Sequence, residues 1–258
     1  MKRLKVLISL FFSALLLSCS NDKANEETDP QETDTDLVKK IIFTYESPNY
    51  QRTNTYTLSY DGNKLSSVKQ AIQEAGSSSD YTLDFNYTGD FITSIDNWHG
   101  EVLSSHYTYS GDRLMSTYFS NTATELYSYQ TVNNQTRVDM VQTSAAKWHF
   151  IHENNKVVKE GRSSYNTPEY FYDCSYDNKK NPFHNITGLD KLHLNNFFTS
   201  PLDRWVLLRK GENNLTGLQS SVLNHVTISY TYNNDGYPTK AVIASPVDNM
   251  IANVEYFY

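Results

Sequence analysis

Tyr172-Asp173-Cys174-Ser175-Tyr176-Asp177-Asn178 and Tyr56-Thr57-Leu58-Ser59-Tyr60-Asp61-Gly62-Asn63 are two copies of one pattern: an aromatic or apolar residue at every second position, then a tight polar turn. A period of two places one set of side chains on one face of a β-strand and the intervening Thr57, Ser59, Asp173 and Ser175 on the other. The pattern recurs outward in both directions, at Ile41/Phe43/Tyr45, Tyr81/Leu83/Phe85/Tyr87, Tyr107/Tyr109, Tyr127/Tyr129, Trp148/Phe150, Val226/Ile228/Tyr230/Tyr232 and Val254/Tyr256/Tyr258. Gly- or Asn-bearing turns separate the copies, at Asp61-Gly62-Asn63, Thr88-Gly89-Asp90, Ser110-Gly111-Asp112, Asn133-Asn134, Glu153-Asn154-Asn155, Asp177-Asn178 and Asn233-Asn234-Asp235-Gly236. Those residues supply the positive φ that short hairpin turns demand. An aliphatic restarts the chain after each turn (Leu65, Ile92, Leu114, Val157), and the turns recur about every 21–27 residues, one hairpin and its return connection.

The spacing predicts an all-β antiparallel meander of about 14–15 strands, more than an open twisted sheet holds without curling. A barrel or incomplete barrel follows. At that strand number wall side chains do not fill the lumen. The segment 183–221 breaks the rhythm and carries Leu189, Leu192, Phe197, Phe198, Leu202, Trp205, Val206, Leu207 and Leu208, so it is expected to plug or cap the barrel, with a short helix near 188–198. The apolar rows are rich in tyrosine rather than aliphatic residues. Tyrosine hydroxyls facing hydrocarbon would lack partners, which argues for a soluble barrel over a lipid-embedded one.

The ends of the chain set its address. Lys2, Arg3 and Lys5 precede an apolar run over 6–17, too short for a stable span, and Leu16-Leu17-Ser18-Cys19 resembles the lipobox of bacterial lipoproteins. That resemblance implies a signal peptide over 1–18, lipidation of Cys19 and a membrane contact made through the lipid alone. Residues 19–36 form an acidic tether, with Asp22, Glu26, Glu27, Asp29, Glu32, Asp34 and Asp36 against one lysine and no large apolar side chain. Such a stretch cannot bury enough surface to order itself. The acidic stretch after Cys19 also resembles the signal that sends Bacteroidota-type lipoproteins to the outer face of the outer membrane, which favours the cell surface. A single β domain then spans 37–258.

The runs Tyr60-Asp61-Gly62-Asn63-Lys64-Leu65 and Tyr176-Asp177-Asn178-Lys179-Lys180-Asn181-Pro182-Phe183 resemble the Tyr-Asp (YD/RHS-like) hairpin repeat. More closely they resemble a family of Bacteroidota lipoproteins of unknown function with a porin-like β fold, over about residues 38–258. The resemblance implies a fold and an address and brings no catalytic residues. Two copies depart from it, with Thr131 and His152 where the others carry tyrosine.

Composition limits function. Removing Lys2, Arg3 and Lys5 from the 22 basic residues leaves 19 against 29 acidic ones, a formal charge of −10. Nucleic acid is therefore excluded as a partner, since its backbone is held by clustered Lys and Arg. With Cys19 acylated, Cys174 is the remaining thiol; it sits in an aromatic row with no basic neighbour in sequence and reads as a small buried hydrophobe. His149 and His152, three apart on a strand, face opposite sides and cannot share a metal, so neither metal nor other cofactor is expected. No nucleophile elbow, Walker loop, dinucleotide fingerprint or His-Glu-x-x-His is present. The one suggestive resource is 20 Tyr, 12 Phe and 3 Trp; Trp98, Trp148 and Trp205 are the candidate ligand-binding residues, for a glycan or a protein partner. The reading is a lipid-anchored, non-catalytic binding or structural module. The alternative is a hydrolase with its site inside the rolled sheet.

Overall fold

The computed structural model describes residues 37–47, 50–99, 101–119, 122–141, 146–154, 156–164, 167–192, 203–220, 225–245 and 250–258. The signal peptide, Cys19 and the tether lie outside the described residues. The strands are β1 (Lys40–Ser47), β2 (Tyr50–Asp61), β3 (Lys64–Glu74), β4 (Ser77–Thr88), β5 (Phe91–His99), β6 (Glu101–Ser110), β7 (Arg113–Phe119) and β8 (Thr122–Val132). They continue as β9 (Gln135–Val141), β10 (Ala146–Glu153), β11 (Lys156–Ser164), β12 (Thr167–Lys180), β13 (Asn213–Gln219), β14 (Val226–Tyr232), β15 (Pro238–Ser245) and β16 (Met250–Phe257). Each pairs antiparallel with its neighbours in sequence, and β1 pairs with β16 from Lys40↔Phe257 to Glu46↔Ile251, which closes the barrel.

The alternation decides which way the wall faces. Ile41, Phe43, Tyr45, Tyr56, Leu58, Val68, Leu83, Phe85, Ile243 and Val254 are buried inside. Their neighbours Lys40, Thr44, Glu46, Thr57, Ser59, Lys69, Asn86, Ser229 and Glu255 are exposed outside. A barrel embedded in lipid carries the opposite arrangement, an outer apolar band between aromatic girdles. The large apolar side chains that do reach solvent are spread over several strands: Met115, Tyr118 and Leu126 on β7 and β8, Val132 at the β8 turn, and Val242, Ile251 and Phe257 on β15 and β16.

The Gly- and Asn-bearing turns of the repeat lie at one end, called here the turn mouth; the two-residue Ala75-Gly76 turn between β3 and β4 lies at the other. At the turn mouth the wall is stitched by the repeat tyrosines. Tyr60 donates to the Val38 carbonyl (2.7 Å), Tyr109 to Ile92 (2.7 Å), Tyr129 to Leu114 (2.8 Å), Tyr176 to Val157 (2.8 Å), Tyr230 to Leu215 (2.9 Å) and Tyr258 to Pro238 (3.0 Å). Tyr87 accepts instead, from the Leu65 amide (3.1 Å). Each bond crosses the seam between one hairpin's last strand and the strand before it, and satisfies a backbone group next to where the ladder stops. The tyrosine of the repeat is thus a seam latch, and the aliphatic that restarts each strand is what it holds. We expect Tyr109→Phe to leave the Ile92 carbonyl unpaired at a cost of about 1–3 kcal/mol, measured by denaturant unfolding, with little change in the circular dichroism of the folded state. The seam between β9 and β10 is the exception, for His152 stands where a latch tyrosine would.

The chain between β12 and β13 fills the lumen. Phe183, Ile186, Leu189 and Leu192 enter it, and Val206, Leu207 and Leu208 leave it, all buried among the wall's aromatics. The described helical structure here is a 3-10 turn, Leu189–Lys191, which ends in an extended Leu192, and a single α turn, α1 (Asp203–Val206); the rest of the stretch expected to be a short helix near 188–198 lies outside the described residues. Gly188 (φ +79°) seats the plug against the wall: a Cβ there would stand 2.6 Å from the Asp90 carbonyl. The Asn-Pro-Phe element staples the plug's two ends. Asn181 accepts from the Phe183 amide through Oδ1 and donates through Nδ2 to the Arg209 carbonyl, both at 2.9 Å. The plug is shorter than the sequence suggests, because Asn213–Gln219, inside the expected insertion 183–221, is a strand of the wall. Its Asn214, Leu215 and Leu218 lack the aromatic alternation that marks the others, and its pairing with β12 and β14 fixes it.

Candidate functional site

A crevice opens at the turn mouth, below the missing latch. It has a volume of about 450 Å³ and lies between the plug and the wall of β7 to β11, with Arg113, Tyr129, Asn154, Asp190, Lys191 and Lys210 among its lining. A second pocket of about 280 Å³, lined by Phe183, His184, Lys156 and Glu212 among others, shares Asn154, Asp190 and Lys210 with the first. Together they form one groove with Lys210 and Asp190 at its centre. Thr136 and His152, from the two strands of the unlatched seam, form part of the first pocket's wall. A tyrosine at 152 would reach into that space.

The charges in the groove come from several elements. Lys191 pairs with Asp190 (2.8 Å) on the 3-10 turn and lies 3.9 Å from Asp112 in the β6–β7 turn. The Arg113 guanidinium lies over the Tyr129 ring, 5.2 Å from its centroid, and makes no ion pair among the described residues. Behind them, Arg209 leaves the plug and pairs with Glu160 on β11 at 3.1 Å, where both side chains are largely buried. Burial pulls the Lys210 amine down to about 7; the neighbouring Arg209 and Lys191 charges add to this and Asp190 opposes it. His152 is held neutral, its pKa lowered to about 3 by burial and then by Lys210 and Arg209. A cavity where charged groups converge on an amine of perturbed pKa is a candidate ligand site.

Cys174 faces inward as expected, and the tertiary structure gives it a basic neighbour that its strand does not: Arg209 Nη2 lies 3.8 Å from Sγ. Burial nonetheless prevails, raising the thiol to about 12. It remains protonated at neutral pH and is no nucleophile.

Of the three tryptophans, Trp148 has a described side chain, and it lies away from the groove. Trp148 points inward on β10, paired with Met140 and Arg162, whose guanidinium lies 5.4 Å from its ring centroid. Arg162 in turn pairs with Tyr170 on β12, so this aromatic cluster belongs to the end opposite the turn mouth. Trp98 occupies β5 opposite Thr82 and Val102, and Trp205 lies in α1; their side chains lie outside the described residues. Sequence reasoning missed Arg113, Asp190, Lys191 and Lys210, which are far apart in the chain. The usable signal was the irregular repeat copy at His152.

One more cluster sits on the outer wall. His149 is buried there, with Nδ1 2.8 Å from Asp139 Oδ1 and Nε2 2.9 Å from Ser163 Oγ. Asp139 lies on the outer face and is bound within this cluster. The connectivity is that of an acid–base–nucleophile relay. However, Arg137 Nη2 lies 2.9 Å from the same Nδ1 and bonds Glu169, whose Oε1 is 3.2 Å from Nε2. A carboxylate beside the atom that would take the serine proton opposes the negative charge an acyl-transfer transition state must develop. Phe171 covers Gly161, where a Cβ would strike its ring at 2.7 Å, and lies 6.0 Å from the imidazole. The cluster is an ion-pair network tying β9 to β12. Hydrogen bonds from His149 and Arg137 hold the Asp139 carboxyl below its ordinary value against the effect of burial.

Among known proteins, the barrel aligns with a porin-like protein from Bacteroides uniformis with a TM-score of 0.57 and 13% identity, over 85% of this chain and 97% of that one. A porin-like protein from Bacteroides vulgatus aligns with a TM-score of 0.46 and 11% identity, over 86% and 98%. No family model and no curated protein matches. What the chain shares with the Bacteroides uniformis protein is its fold, an antiparallel β-barrel spanning nearly all of that chain.

Proposed function

We propose that this protein is a lipid-tethered, non-catalytic binding module of the outer membrane, held by Cys19 on its acidic tether and presenting the turn-mouth groove to a polar ligand, with a glycan the favoured class. The observation that carries this reading is the plugged lumen inside a polar wall. A barrel filled by its own chain conducts nothing, and a wall of Thr, Ser, Lys and Glu does not sit in lipid, so the groove at the mouth is the feature left to act. Its Asn134, Asn154, Asp190 and Thr136 are groups that pair well with sugar hydroxyls, and Tyr129 and Phe183 supply apolar faces. The lipobox at Cys19, the Tyr-Asp repeat and the shared fold with the porin-like protein from Bacteroides uniformis support the address, with the cell surface as the favoured face. Inside the barrel, Glu160 is engaged by Arg209 and Asp203 is sealed, which disfavours a hydrolase with an interior site.

Two measurements test the reading. In cells fed an alkyne fatty acid, the protein should take up label, and Cys19→Ala should lose both label and membrane retention. A glycan array probed with the intact mature protein should give binding that Asn154→Ala weakens by about tenfold. Absence of binding to every glycan would remove the carbohydrate reading.

A further inference from the structure

The groove's charge pattern narrows the ligand class, resting on the reading of the groove as the binding site. We propose that the turn-mouth groove binds a carboxylate-bearing sugar, with the carboxylate seated between Arg113 and Lys210 and the hydroxyls on Asn154, Asp190 and Thr136.

The argument starts from position. Lys210 lies on the segment leaving the plug and is common to both halves of the groove. Arg113 stands on the wall side at the start of β7, and its guanidinium rests on Tyr129 without a carboxylate partner among the described residues. A planar guanidinium fixed on a ring is prepared for two-point contact with a carboxylate. Lys191 is already committed to Asp190 and Asp112, and Lys156 to the Asn213 side-chain oxygen. The groove therefore holds four cations (Arg113, Lys156, Lys191, Lys210) against three acids (Asp112, Asp190, Glu212), in a mature chain whose formal charge is −10. An excess of positive charge there marks a place for an anion. Asp190 and Asp112, paired with Lys191, remain as acceptors for hydroxyls.

The sign of the pH effect follows from the groups around Lys210. His184 and Glu212 face the groove beside it, Asp190 and Lys191 face it from the 3-10 turn, Arg209 precedes it, and neutral His152 faces it from β10. Burial and the two neighbouring cations leave the amine half-charged near neutrality. An incoming carboxylate favours the charged form, so binding takes up a proton and is strongest at low pH. With a free-state value of about 7, affinity should fall about thirty-fold from pH 6 to pH 8.5 if the charged amine alone binds.

The test is calorimetric titration of the full mature chain in detergent with an oligogalacturonate and with the neutral oligogalactoside of equal length. The acidic sugar should bind about tenfold or more tightly than the neutral one at pH 6, with the stated loss at pH 8.5. Lys210→Gln should abolish the pH dependence. Arg113→Gln, at an exposed turn position, should weaken the acidic sugar and leave the neutral one unchanged. Equal affinity for both sugars, or an unchanged pH profile in Lys210→Gln, would overturn the carboxylate assignment and leave the groove standing as a neutral-glycan site. Failure of both sugars to bind would also overturn the carboxylate assignment, while the glycan reading itself falls only if the array shows no binding.

Discussion

Asp203→Ala is expected to destabilise the barrel by about 2–4 kcal/mol, while Asp203→Asn should cost less than about 1 kcal/mol. Asp203 begins α1 inside the lumen with no exposed surface. Its Oδ2 accepts from Asn54 Nδ2 at 2.8 Å and from the Tyr56 hydroxyl. Tyr56 also receives Gln70 Nε2 (2.8 Å), and Asn54 Oδ1 accepts from Arg52 Nε (2.7 Å). Burial raises the carboxyl well above its ordinary value, which favours the protonated form, while Oδ2 stays the acceptor of two wall donors. Alanine leaves those donors without their acceptor and opens a void; asparagine keeps the acceptor and the shape. The pH dependence separates the two states of charge. A carboxyl whose folded pKa lies above its unfolded one contributes stability that is complete below the unfolded value and is lost as pH rises toward the folded one. The wild type should therefore lose stability between pH 4.5 and 8 relative to Asp203→Asn, with a slope of at most about 1.4 kcal/mol per pH unit. Urea unfolding at both pH values checks this, and parallel pH profiles for the two proteins would show Asp203 to be ionised.

Arg209→Ala should be still more damaging, at about 3–5 kcal/mol, because it leaves Glu160 charged and unpaired within the wall. Burial works against the Arg209 charge, but Glu160 and the hydrogen bond to the Tyr176 hydroxyl outweigh it and keep the guanidinium protonated. Its Nη2 reaches Glu160 at 3.1 Å and the Tyr176 hydroxyl at 3.4 Å, so one side chain fastens the plug to both β11 and β12. Removing both charges together, as Arg209→Met with Glu160→Gln, should restore most of the loss, since no isolated ion then remains in the interior. A double-mutant cycle by thermal unfolding measures the coupling. Additive effects would mean that the pair is solvated, contrary to its burial.

Much of the wall was legible because its information is local. A period of two needs only neighbouring residues to be read, and Gly or Asn at the turns marks where each hairpin reverses. Thus Tyr56, Leu58 and Tyr60 declare a strand and its inward face without any knowledge of their partners. β13 was not legible, since Asn214, Leu215 and Leu218 pack on the plug side without alternating aromatics. It raised the count from 14–15 strands to sixteen. The groove was hidden for a different reason. Arg113, Asp190 and Lys210 stand on three separate elements, and nothing in their local sequence distinguishes them from solvated charges. The local hint in the sequence was the irregular repeat copy at His152, which lines the groove.

By itself the sequence determined the hairpin order, the inward aromatic rows and the presence of a plug, because backbone periodicity and turn chemistry act between residues close in the chain. Only the tertiary structure decided that the repeat tyrosines latch the seams, that β1 closes on β16, and that the one seam with histidine in place of tyrosine lies over a charged groove. Those features depend on a hydroxyl meeting a carbonyl some twenty residues away, or a plug lysine meeting a wall arginine. Such meetings are fixed by the curvature and closure of the whole sheet, which no single stretch of chain encodes.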